Sequence, residues 1–165
     1  MEFRNYQKKI IDAAFNIMNR YRFVYLAMEV RTGKTLTSLG LADKLGCKNV
    51  LFLTKKKAIS SITSDYDLLC PNSFSLFVIN YESIHKIPDI KWDMVILDEA
   101  HTLGAFPKPS SRAKKVANLI RKHNLLVCLL SGTPTPESYS QMYHQVYGIP
   151  SNPFREFKNF YRFCD

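Results

Sequence analysis

Five short runs do most to restrict what this chain can become: RFVYLA (22–27), NVLFLT (49–54), FSLFVIN (74–80), MVILDE (94–99) and LLVCLLS (125–131). Each is apolar at nearly every position rather than at alternate ones. That is the pattern of strands covered on both faces of a parallel sheet. Helical segments separate them. In SSRAKKVANLIRKH, Ala113, Val116, Ala117 and Ile120 recur at helical spacing, while Arg112, Lys114, Lys115, Arg121 and Lys122 are expected to face outward. KTLTSLGLADKLG follows the first run and ends in Gly46, a suitable helix stop. Strands alternating with helices predict a doubly wound α/β fold, with a mainly parallel sheet and helices on both faces.

With 165 residues, 46% of them hydrophobic, the chain is expected to form one domain over residues 1–165 with a proper core. Lysine and arginine exceed aspartate and glutamate by 23 to 14, a net charge of +9 that favours an anionic partner. Cys47, Cys70, Cys128 and Cys164 lie far apart, which argues against a zinc knuckle or a disulfide framework, and Cys128 reads as core. The N-terminal MEFRNYQKK is not a signal peptide, and no apolar run is long enough for a membrane helix. A reducing cytoplasm is the expected setting.

In a doubly wound sheet, ligands bind at the carboxyl ends of the strands. Polar residues gather there: the runs lead into EVRTGKT, TKKK, NYES, DEAH and SGTPT. In the first, Gly33, Lys34 and Thr35 follow a strand and open a helix, the context of a phosphate-binding loop. Met28 stands where such a loop usually has its first glycine. Backbone N–H groups at the helix start form an anion cradle. Lys34 would reach the β- and γ-phosphates, and the Thr35 hydroxyl would ligate Mg²⁺.

A Gly-Lys-Thr tripeptide also occurs in ordinary surface turns, and a lone Asp-Glu pair at a strand end is usually solvated. Their joint occurrence here changes the reading. Metal-assisted phosphoryl transfer needs one carboxylate at the Mg²⁺ shell and another to orient or deprotonate water. Asp98 suits the first role and Glu99 the second.

With these motifs in place, the sequence resembles the first, ATP-binding RecA-like domain of superfamily two helicases of the DEAD/DEAH-box class, nearest to Swi/Snf-type and phage-encoded helicases. The likeness covers nearly the whole chain. FRNYQKKII resembles the Q motif, which implies that Gln7 reads the adenine edge while Arg4 or Tyr6 holds the base. EVRTGKT resembles motif I, with Thr32 and Gly33 beside Lys34 and Thr35 in the cofactor loop; the family tolerates loss of the first glycine. VLFLTKKK resembles motif Ia, VINYES motif Ib, DEAH motif II and LLSGTPTPES motif III.

The resemblance implies ATP and Mg²⁺ as cofactors and nucleic acid as partner, DNA ahead of RNA, held mainly through its backbone. By position it assigns Thr54, Lys55 and Lys56 to strand phosphates, with Asn80 and Tyr81 flanking the same track. Ser131 and Thr133 would couple the nucleotide site to the strand, and His101 would bridge motifs II and III. Swi/Snf-type relatives carry a lysine-containing loop after motif II, which would bring Lys108 and Arg112 to nucleic acid; an ordinary exposed loop is the simpler reading. His85, His123 and His144 read as surface residues. In the tail, NPFREFKNFYRF (152–163), basic and aromatic residues interleave, but Phe154, Phe157, Phe160 and Tyr161 recur at helical spacing and packing onto the sheet is the simpler expectation.

Motors of this kind close two RecA-like domains on ATP, the second bringing an arginine finger. No such second half is recognisable in this sequence. It is expected in the same full-length protein or in a partner chain, and the isolated chain is expected to turn over slowly. A non-catalytic RecA-like module that holds nucleic acid or another protein is the rival reading, although such a scaffold has no chemical need for Lys34, Thr35, Asp98 and Glu99 together. A small P-loop kinase fits poorly, since DEAH followed by SGTP is not its pattern.

Overall fold

The computed structural model describes residues 2–28, 33–69, 73–104, 108–132, 145–146 and 148–150. All five expected strands are present: β1 (Phe23–Leu26), β2 (Asn49–Thr54), β3 (Ser75–Asn80), β4 (Met94–Leu97) and β5 (Leu126–Leu130). Every neighbouring pair is parallel and the order across the sheet is β1-β5-β4-β2-β3. The expectation of a doubly wound parallel sheet is met.

Alternation sorts the strand side chains onto two faces. Val24, Leu26, Val50, Phe52, Met94, Ile96, Cys128 and Leu130 pack under α1 (Asn5–Tyr21), α2 (Lys34–Lys44) and α3 (Ile59–Leu69). Leu51, Leu53, Ile79, Val95, Leu97, Val127 and Leu129 pack against α4 (Ser111–His123) and the 3₁₀ turn Tyr81–Lys86. Right-handed crossovers explain the split. The chain steps from β1 to β2 to β3 in one direction across the sheet, then from β3 to β4 to β5 in the other. Reversing direction at constant handedness puts the later connections on the opposite face.

Local chemistry sets the helix ends. Helix α2 starts at Gly33, whose φ of 75° lies in the left-handed region, and Gly46 beyond its end has φ 73°. Ser110 caps α4 by accepting the Ala113 N–H at 3.1 Å. Helix α1 is an element that the strand pattern did not announce. Its buried face, Gln7, Ile11, Ala14 and Met18, has the spacing of a helix stripe and was legible in principle. The five outward-facing assignments on α4 divide: Lys114, Lys115, Arg121 and Lys122 are exposed, but Arg112 is not. Its guanidinium folds back over the Tyr81 ring, 4.6 Å from the centroid, because a nearby aromatic face and hydrogen-bond acceptors attract the planar cation. Among the described residues no helix is long and apolar enough to cross a membrane.

Candidate nucleotide-binding site

At the carboxyl end of the sheet, Lys34 opens α2 and points across to the residues that follow β4. Its Nζ lies 4.0 Å from Asp98 Oδ1 and 3.9 Å from Glu99 Oε1. Both distances are at the outer limit for an ion pair, so the three charges are gathered without being locked together. The first turn of α2 is tied by Thr37, whose N–H and Oγ1 both donate to the Gly33 carbonyl at 2.9 Å. The first N–H groups of any helix have no intrahelical acceptor, so this turn presents donors to an anion.

Asp98 is held from three directions. Its N–H donates to the Leu53 carbonyl at 2.9 Å, the Thr54 hydroxyl donates to Oδ2 at 2.8 Å, and the Tyr81 hydroxyl donates to its carbonyl at 2.6 Å. Oδ1 is the one buried side-chain oxygen, among the described residues, with no hydrogen-bond partner. Such an atom carries a desolvation cost unless a cation or donor satisfies it.

Glu99 adopts left-handed backbone angles, φ 51° and ψ 45°, a conformation that costs a non-glycine residue roughly 1–2 kcal/mol. The turn aims its carboxylate between Lys34 and His101. His101 Nε2 lies 3.5 Å from Glu99 Oε2, while Nδ1 hydrogen-bonds Ser131 Oγ at 2.7 Å. A chain of contacts, Glu99–His101–Ser131, thus runs from the DEAH segment to the serine that opens SGTP. Ser131 itself is buried, its N–H bonded to the Leu26 carbonyl at 3.3 Å.

Beside the loop, a cleft of about 300 Å³ is lined by Arg4, Tyr6, Gln7, Gly33, Leu36 and Leu68, with Glu2 at its edge. Tyr6 and Leu68 are exposed and give it apolar walls. Gln7 is buried, its Oε1 accepting the Arg4 N–H at 2.9 Å. Its amide presses so close to the loop that a Cβ on Gly33 would lie 2.3 Å from Nε2. Gln7, Arg4 and Gly33 thus meet around one cavity of a size for a base. A cleft of about 390 Å³ between Ile84, Pro88, Leu119 and Lys122 shares none of these residues.

The donor set fits a magnesium nucleotide. Two carboxylates face one lysine, which leaves an excess of negative charge for a divalent cation. Among the described residues no cluster of three or more His, Cys, Asp or Glu side chains forms a metal site by itself. Magnesium is commonly held by one or two carboxylates together with substrate phosphates, and the unpartnered Oδ1 of Asp98 suits that arrangement.

Two assignments to the nucleic-acid track need correction. Thr54 is fully buried with its hydroxyl committed to Asp98, and Tyr81 is buried with its hydroxyl on the Asp98 carbonyl. Neither side chain is presented to a passing strand; both position the acidic segment. Burial, with the Asp98 charge adding to it, pushes the Tyr81 phenol well above its ordinary range. Lys55 and Lys56 are exposed at the end of β2, and Asn80 ends β3 directly beside Thr54 in the sheet register. Thr35 lies in the first turn of α2, half-buried. Thr32, Thr133, His144 and the aromatic tail fall outside the described residues.

Residues 50–165 match the SNF2-related domain family, more than half of the chain. The chain belongs to that family. Residues 1–86 of this SNF2-related domain also match the type III restriction enzyme res subunit, and the two together place it among the RecA-like domains of superfamily two helicases. No curated protein matches its sequence. Its fold is similar to the Sulfolobus solfataricus SWI2/SNF2 ATPase core in complex with dsDNA (TM-score 0.69, 13% identity, covering 99% of this chain and 38% of that one). It is similar also to the Pyrococcus furiosus Hef helicase domain (0.69, 14%, covering 91% and 36%). A third likeness is to a nuclease-deletion mutant of the type ISP restriction-modification enzyme LlaGI in complex with a DNA substrate mimic (0.61, 18%, covering 84% and 18%). The chain therefore spans well under half the length of each of these structures.

Proposed function

We propose that this SNF2-related domain is the ATP-binding half of a nucleic-acid-dependent motor, coupling ATP hydrolysis to movement along DNA or RNA, with DNA the favoured partner. The observation that carries the reading is the convergence of Lys34, Asp98 and Glu99 around an unpartnered carboxylate oxygen. Bound Mg²⁺–ATP supplies the phosphoryl group and the charge-neutralising metal. The chain's own residues bind, orient and move a proton. Lys34 and the N–H groups of the first α2 turn hold phosphate charge, with Thr32 and Gly33 in the same loop. Thr35 and Asp98 hold the metal, and Thr54 and Tyr81 fix Asp98. Glu99 orients water and takes its proton on the carboxylate, while His101 holds that carboxylate in place. Gln7 and Arg4 receive the base.

Lys55, Lys56 and Asn80 contact strand phosphates, and Ser131 with Thr133 links that surface to the nucleotide through His101. The ammonium groups of Lys55 and Lys56 offer point charges rather than a fork of donors matched to base edges, so recognition runs through the backbone. A second RecA-like domain, in the same full-length protein or in a partner chain, completes the site with an arginine finger. The DEAH-box assignment and a cytoplasmic setting belong to the same proposal.

The test is ATP turnover by this chain, with and without single- and double-stranded DNA and RNA, beside Glu99→Gln. Nucleotide binding with very slow turnover supports half a motor. A chain that binds no nucleotide at all overturns the reading in favour of a non-catalytic module.

A further inference from the structure

At the end of β3, side-chain donors from two elements, β3 and α4, meet on one exposed carboxylate. Asn80 Nδ2 donates to Glu82 Oε2 at 3.1 Å, and Arg112 Nη2, from the first turn of α4, donates to Glu82 Oε1 at 2.6 Å. Arg112 Nη1 donates to Thr102 Oγ1 at 3.1 Å, which fixes the plane of the guanidinium, and the Tyr81 ring backs it. The Asn80 amide, the local backbone and then Arg112 hold the Glu82 carboxyl below its ordinary range, so the surroundings favour an anion at this spot. The first turn of α4 carries no acidic residue of its own.

The occupant is poorly secured. The Glu82 side chain is 64% exposed and that of Arg112 32%, and ion pairs in such settings contribute little to stability. A guanidinium nitrogen that donates to a carboxylate oxygen donates equally well to a phosphate oxygen. Lys55 and Lys56 are exposed at the end of the adjoining strand, with Thr54 and Asn80 in register.

We propose that Arg112 and Asn80 form a binding site for a backbone phosphodiester of nucleic acid, and that Glu82 is its internal plug, displaced when a strand arrives. The site rests on the proposed function, since it needs a nucleic-acid strand at this end of the sheet. The plug lowers affinity for stray polyanions, because every strand that binds must first free Arg112 from Glu82.

The experiment measures affinity of the full chain for a labelled single strand and a labelled duplex across about 50–200 mM salt. Glu82→Gln binds several-fold more tightly than wild type. Asp89→Asn, the same change of charge at a residue paired with Lys122, is the control for simple loss of negative charge. Arg112→Ala lowers the slope of log K against log salt by about 0.7 on single strands and 0.9 on duplex, one phosphate's worth. Arg112→Lys keeps the slope at weaker affinity, which separates a lost contact from a damaged fold. In the Arg112→Ala background, Glu82→Gln gains no more than Asp89→Asn.

A Glu82→Gln gain no larger than the control, or an unchanged slope in Arg112→Ala, overturns the inference while leaving the proposed function standing. Stabilisation of Glu82→Gln by inorganic phosphate, with an unchanged nucleic-acid slope in Arg112→Ala, assigns the site to free phosphate and also overturns it. Nucleotide binding without nucleic-acid binding in any variant brings down the nucleic-acid half of the proposed function, and the inference with it.

Discussion

Replacing Thr54 by valine tests whether the end of β2 serves the acidic site or a passing strand. The two side chains are nearly equal in shape, and both suit a strand. What is lost is the 2.8 Å hydrogen bond to Asp98 Oδ2, inside a fully buried position. A hydrogen bond to a charged group contributes about 1.5–3 kcal/mol, and the methyl that replaces the hydroxyl returns less than about 1 kcal/mol. The net loss is about 1–2 kcal/mol. At roughly 2–4 °C per kcal/mol for a domain of this size, Tm falls by about 2–8 °C. Because Asp98 Oδ1 accepts no hydrogen bond, the carboxylate is left with only the loose ion pair to Lys34, and affinity for Mg²⁺–ATP falls with it. Thr54→Ser restores both. The assay is thermal unfolding beside nucleotide and nucleic-acid titrations. An unchanged Tm and nucleotide affinity, with weakened strand binding, would refute the argument and return Thr54 to the nucleic-acid track.

Gly33→Ala places a Cβ at φ 75° and 2.3 Å from Gln7 Nε2, so it destabilises by at least about 1 kcal/mol and weakens adenine nucleotides more than tripolyphosphate, read by denaturant melts and competition binding. Glu99→Gln keeps nucleotide affinity and lowers single-turnover hydrolysis by about 10²–10⁴-fold in whatever assembly is active; an equal loss of binding would place Glu99 in the cradle rather than beside the water. Tyr81→Phe leaves the Asp98 carbonyl without its donor and costs about 1–3 kcal/mol in denaturant unfolding. Alkaline pH tests Cys47, whose thiol burial, with the Asp93 charge adding, pushes up from 9.0 to about 11. The folded state keeps the proton longer than the unfolded one, so this contribution to stability is complete below pH 9.0 and is lost as pH rises towards about 11. Cys47→Ala flattens the unfolding free energy over that window, and an unaltered slope would contradict the assignment.

Strand composition alone determined much of this protein. Runs that are apolar at nearly every position have to be covered on both faces, so NVLFLT and MVILDE were bound for a layered parallel sheet. The polar residues that end those runs then had to share one end of the molecule, which is why Lys34, Asp98 and Glu99 were legible as a group before any geometry was known. Their chemistry depends on residue type and strand order, and both are written in the sequence. The tertiary structure decided the orientation of residues whose type suits more than one role. Thr54 and Tyr81 sit in polar strand-end segments and read as surface contacts, but alternation along β2 and the tight turn after β3 roll both inward onto Asp98. Arg112 has the outward position of an amphipathic helix, and it folds back because Tyr81, Thr102 and Glu82, brought from other elements, lie within its reach. The left-handed turn at Glu99 and the His101–Ser131 bond also join residues that only the folded sheet makes neighbours. A sequence specifies which side chains arrive at the end of a sheet; the contacts made on arrival depend on distances between segments that no local pattern encodes.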